Sequence, residues 1–150
     1  MHYSQNFSYK LLEYEILIGN QTIQMKKRFV ILGACAGFLA VALGAFGAHA
    51  LSGHFETYPD LESTYQTAVE YQFYHALAIL VVAWAGERWP GRVVAWAGYL
   101  FGLGALIFSG SLYLLVLTNT GWWGAVTPIG GVAFLAGWVC LGWGVWRGEG

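Results

Sequence analysis

Six polar side chains stand in stretches that are otherwise apolar: His49, Glu70, His75, Ser109, Ser111 and Thr127. A carboxylate near imidazoles is the raw material of proton transfer. The same groups can bind a cation or a solute, or simply bond to one another. Spacing argues against the sharper chemistries. Glu70 and His75 are separated by about 140° round a helix at about 100° per residue, so they do not pair directly. At four-residue spacing Glu70 shares a face with Tyr74, and Tyr71 with His75. The partner of Glu70 must therefore come from another element, and His49 or the Ser109 and Ser111 hydroxyls are the candidates. No GxSxG, CxxC or HExxH pattern occurs. Gly102 and Gly104 have no strand before them, as a phosphate-binding loop requires. Ser109-Gly110-Ser111 lacks a Lys or His at fixed spacing and reads as a point of close approach. Cys35 and Cys140 read as packing, since two cysteines make neither a structural zinc site nor a disulfide scaffold. No catalytic residue, cofactor or metal is expected.

Composition says what holds these groups. The chain has 150 residues, 57% hydrophobic and 10% charged, with mean hydropathy +0.53. Typical soluble chains are roughly 45–50% apolar and about 25% charged. Seven basic and eight acidic side chains cannot cover a soluble sphere of this size. Disorder requires low hydrophobicity, and a nucleic-acid binder requires a basic face. The chain reads as an all-α integral membrane protein whose partner is the lipid bilayer, with no nucleic acid.

Gaps between charge clusters mark four spans at about residues 29–51, 65–86, 93–117 and 125–146, each near the ~20 apolar residues that cross a bilayer. Asp60 is the expected N-cap of the second helix, with Glu62 in its first turn. Asn119 and Gly121 break the chain before the fourth span, and Pro128 fits that span's first turn. Lys26, Lys27, Arg28, Arg88, Arg92 and Arg147 all fall on one side of such a four-span bundle. The positive-inside rule then places both termini in the cytoplasm. Counted from the basic end at about 1.5 Å per residue, His75 lies roughly 16 Å deep. Glu70, Ser109, Ser111, Thr127 and His49 lie at roughly 24 to 30 Å on the same count. The polar groups thus converge on the outer half.

Residues 1–24 mix polar and aromatic side chains without a convincing period. Met25 followed by Lys-Lys-Arg resembles a start of its own, so residues 1–24 are expected to be an extension and residues 25–150 the membrane domain. The competing reading is an amphipathic surface helix around Tyr9 to Ile18. Ala48-His49-Ala50 fits a leader-peptide cleavage site, but the apolar run before it is longer than the usual 7–15 residues. Small residues at Gly33, Gly37, Ala40, Gly44 and Ala48, at Gly98 and Gly102, and at Ala133 and Gly137 suit close helix packing, within the chain or between copies. Trp89, Trp122, Trp123 and Trp146 sit near span ends as interfacial anchors.

Several strings occur together in order: Gly44 to Leu51 (GAFGAHAL), Glu70 to Ala78 (EYQFYHALA), Phe108 to Tyr113 (FSGSLY), Thr127 to Gly131 (TPIGG) and Phe134 to Trp138 (FLAGW). In this arrangement the chain resembles the small four-helix membrane family known as domain of unknown function 423. The resemblance covers about Phe29 to Trp146. It implies a bacterial inner-membrane protein and carries no established activity. It also implies that the polar residues of these strings are the ones to test: His49, Glu70, Gln72, His75, Ser109, Ser111 and Thr127. The expected function is a non-enzymatic structural or accessory component, associating with itself or with a membrane complex. The alternative is a small transporter or channel component using the outer polar cluster.

Overall fold

The computed structural model describes residues 2–148, with side chains throughout from residue 23. Its helices are α1 (His2–Ala50), α2 (Ser52–Thr57), α3 (Pro59–Arg88), α4 (Arg92–Thr118) and α5 (Thr127–Arg147). Among the described residues there is no strand. Four stretches are long and apolar enough to cross a membrane: Ile23–Ala50, Pro59–Arg88, Arg92–Thr118 and Gly121–Arg147. Backbone groups have no water to bond in hydrocarbon, so a helix, which satisfies them internally, is the form such segments take. The helix that contains the first span continues back through residue 2 without interruption.

Helix ends follow local chemistry. α3 begins two residues earlier than an Asp60 cap would allow. Tyr58 is its N-cap and Pro59 opens the helix. Proline's fixed φ suits that position, and its missing N–H costs nothing where no intrahelical partner exists. Asp60 is thereby moved into the first turn beside Glu62, where both carboxylates face the positive end of the helix dipole. The polar stretch after the first span is not a plain loop. Ser52–Thr57 forms α2 and buries Phe55. α4 ends at Asn119 in the left-handed conformation, φ 49°, which Asn tolerates better than most residues. A 3-10 turn, Gly121–Ala125, leads into α5, and Pro128 sits in the first turn of that helix.

The spans pack in chain order: α1 on α3, α3 on α4, and α4 on α5. Among the described residues α1 and α5 do not meet. α3 is the most enclosed span, with half of its apolar window buried, against 17% for the first span and 22% for the last. The α1 face that meets α3 runs Gly33, Gly37, Ala40, Gly44 and Gly47. Ala48, expected on that face, is exposed, and Gly47 is buried under Tyr65. Alternating steps of four and three hold one helix face, whereas repeated fours drift round it by about 40° each. α4 and α5 approach most closely where Gly130 lies on the backbone of Phe108.

A Cβ at Gly130 would stand 2.8 Å from the Phe108 Cα, whereas one at Gly142 would meet nothing within 4 Å. Gly130→Ala is therefore expected to destabilise the protein by about 1–3 kcal/mol through overpacking. Gly142→Ala should be neutral. Thermal unfolding of both variants in detergent checks this.

Candidate functional site

The helical turn of α3 sorts its polar residues. Glu70 is exposed, while Gln72 and His75 are buried at 8% and 5% exposure. At about 100° per residue, Gln72 and His75 point within roughly 60° of each other and away from Glu70. Three separate arrangements result.

The first ties three spans together. Gln72 Nε2 donates to the carbonyl of Ala36 on α1 (3.0 Å), and Tyr113 Oη of α4 donates to Gln72 Oε1 (3.0 Å). Nearby, Tyr65 Oη donates to the carbonyl of Leu43 at 2.7 Å. A Tyr65–Tyr113 ring contact joins the two (5.3 Å between centroids). His54 of α2 reaches the Val116 carbonyl through Nε2 at 3.1 Å. In a medium without water each such bond replaces an unsatisfied group that would cost several kcal/mol.

The second joins α4 to α5. The Ser111 and Thr127 hydroxyls are 2.8 Å apart, and Ser111 Oγ also lies 2.9 Å from the Phe108 carbonyl. These two expected site residues do come together. The third is an aromatic cage around His75. The imidazole stacks on Phe134 at 3.4 Å and 8°, with Phe101, Trp138 and Tyr71 around it. His75 Nδ1 donates to the Tyr71 carbonyl (2.8 Å). His75 Nε2 and Ser109 Oγ are buried without a hydrogen-bond partner among the described residues.

Glu70 belongs to none of these. The expected bond from Glu70 to His49, or to Ser109 and Ser111, is not formed among the described residues, because α3 turns Glu70 outward and His49 is itself exposed. Glu70 instead lines a cavity of about 260 Å³ between α1 and α3, with Phe55 of α2 also in its wall. Glu62, Gln66 and Glu70 recur there every four residues, facing the small side of α1 at Gly44, Gly47 and Ala48. Gln66 donates to Glu62 at 3.3 Å. Among the described residues no three metal-ligating side chains cluster.

Tyr65, Tyr113 and His54 carry much of this geometry and were missed as site residues. A tyrosine hydroxyl at membrane depth is a signal in itself, because a buried phenol needs a partner.

Four consecutive antiparallel spans, cross-tied by neutral polar side chains, define a small multi-pass membrane protein. The family model "Protein of unknown function (DUF423)" matches residues 43–131, and the chain belongs to this family. It is 46% identical over 117 residues to the UPF0382 membrane protein YwdK of Bacillus subtilis, covering 77% of this chain and 93% of that one. It is also 46% identical over 119 residues to the UPF0382 inner membrane protein YgdD of Escherichia coli K12, covering 78% and 88%. The UPF0382 membrane protein SAB0533 of Staphylococcus aureus is 45% identical over 115 residues, covering 77% and 92%. No solved structure matches. No specific activity is established for the family.

Replacing Gln72 by Leu removes both interhelical bonds and strands the Tyr113 hydroxyl. A loss of about 1–3 kcal/mol is expected. Glu70→Gln should change stability by less than about 0.5 kcal/mol, as surface substitutions usually do. Parallel melts of the two variants test the assignment.

Proposed function

We propose that the protein is a non-enzymatic structural or accessory component of a bacterial inner membrane. Its membrane domain is residues 25–150, residues 1–24 are an extension before it, and both termini are cytoplasmic. It acts by packing against itself or against another membrane complex. One observation carries this reading: Gln72, Tyr65, Tyr113, Ser111 and Thr127 spend their polar groups on holding the spans together. Gln72 bonds Ala36 and Tyr113, and Ser111 meets Thr127. A nucleophile with an adjacent base is the mark of covalent catalysis, and the hydroxyls of Tyr65, Tyr113, Ser111 and Thr127 face carbonyls, an amide and each other. α1 and α5 meanwhile keep large apolar faces, with Phe38 73% and Leu135 69% exposed. The name of the E. coli relative supports the compartment, and the six basic residues support the orientation.

A second reading is favoured by the cavity at Glu70. Glu62, Gln66 and Glu70 form a polar line running from the first turn of α3 into its span, and intramembrane carboxylates commonly mark ion or solute paths.

Native mass spectrometry of the full chain, extracted in mild detergent at natural abundance, separates the two. The first reading expects a stoichiometric assembly larger than one chain, and a lone monomer overturns it. The second expects proton or cation flux in reconstituted vesicles that Glu70→Gln abolishes.

A further inference from the structure

The basic end of the bundle holds a cleft that the proposed packing role does not use. Lys26 and Glu87 are ion-paired at 2.5 Å across α1 and α3. Gly148 at the end of α5 packs on Trp89, so this end carries the close of α5 as well as the α3–α4 turn. Beside the pair is a cleft of about 420 Å³ lined by Ile23, Lys26, Lys27, Val30, Ile31 and Glu87. The four-residue repeat lines Ile23, Lys27 and Ile31 along one edge of α1, with Lys26 and Val30 along the next. Val30 and Ile31 are 43% and 63% exposed. The cleft is thus amphipathic, with cations at the mouth and branched apolar side chains leading into the span.

Charge at this end is unbalanced. Glu87 is committed to Lys26, whereas Lys27 and Arg28 are exposed and have no carboxylate partner among the described residues. Arg88 and Arg147 lie over the Trp89 and Trp143 rings, at 5.8 and 4.8 Å. An occupant must therefore be anionic at one end and apolar at the other. A soluble acidic partner meets the first demand only, and a zwitterionic lipid brings a cation to an already cationic rim.

We propose that this cleft is a binding site for an anionic phospholipid. The phosphate sits on Lys27 and an acyl chain runs along Val30 and Ile31. Lys26 is held in reserve by Glu87. Basic pockets between membrane helices commonly receive such headgroups.

The test is native mass spectrometry of the full chain, titrated with phosphatidylglycerol or phosphatidylcholine in detergent. Phosphatidylglycerol should be retained preferentially. Lys27→Gln should weaken that retention about fivefold, the effect of one basic contact near a lipid surface. Glu87→Gln should strengthen it by releasing Lys26, and Arg147→Gln, at the end of α5, should leave it unchanged. Circular dichroism confirms that each variant stays helical. Equal retention of the two lipids overturns the proposal. So does an equal loss in Lys27→Gln and Arg147→Gln, which would mean diffuse attraction to the rim, or weaker binding in Glu87→Gln.

Discussion

A polar side chain inside hydrocarbon must find its partner within the protein, and Gln72 shows what that demand does to a small bundle. Its carboxamide donates to Ala36 on one side and accepts from Tyr113 on the other. A neutral amide does this without the cost of a buried charge. The bonds have a geometric precondition. A glutamine on α3 reaches a main-chain carbonyl of α1 only if the helices lie close, and Gly33, Gly37, Ala40 and Gly44 permit that approach. Lipid offers no hydrophobic drive for helices to associate, so contact area and interhelical bonds must supply it. Small residues create the contact, and Gln72 fixes its register.

The same logic explains why burial is graded. α3 is flanked by α1 and α4 and buries Ile79, Val82 and Ala83 almost completely. Each outer span packs mainly on one neighbour, α1 on α3 and α5 on α4, and touches a second only lightly. Their remaining faces carry Phe38, Val41, Leu135 and Val139, at 64–73% exposure. In water such surface would be a liability, whereas in a bilayer it is the solvated face. An interior of the kind a soluble protein would recognise gathers about α3 and α4, where Phe29 of α1 and Phe134 of α5 close on Ile79 and Phe101.

The four spans were legible because charge is excluded from hydrocarbon, so Lys26 to Arg28, Glu87 to Arg92 and Arg147 punctuate the chain. The breakers at Asn119 and Gly121, and the place of Pro128 in the first turn of α5, were legible for equally local reasons. Pairing was not. Depth arithmetic put Glu70, His49 and the serines at a common level, but level says nothing about rotation. The direction of Glu70 is set by which face of α3 the glycines of α1 accept, and that is a property of two helices together. The Ser111–Thr127 contact appeared because both groups happened to face the α4–α5 seam. Tyr113 was hidden for another reason: its ring reads as lipid-facing bulk until its hydroxyl is counted.

His75 shows how far residue type can mislead about role. A histidine in mid-membrane suggests a proton relay, and a relay needs partners at both ring nitrogens. Here Nδ1 is tied to the Tyr71 carbonyl on its own helix, and no described residue bonds Nε2. The ring lies flat against Phe134, and Phe134 in turn occupies the space left by Gly104. Glycine, phenylalanine and imidazole form one stack from α4 through α5 to α3. A planar ring of that size is what the stack requires, and Nδ1 anchors its tilt. The contribution of His75 to this fold is therefore its shape, held at one fixed angle by a single hydrogen bond.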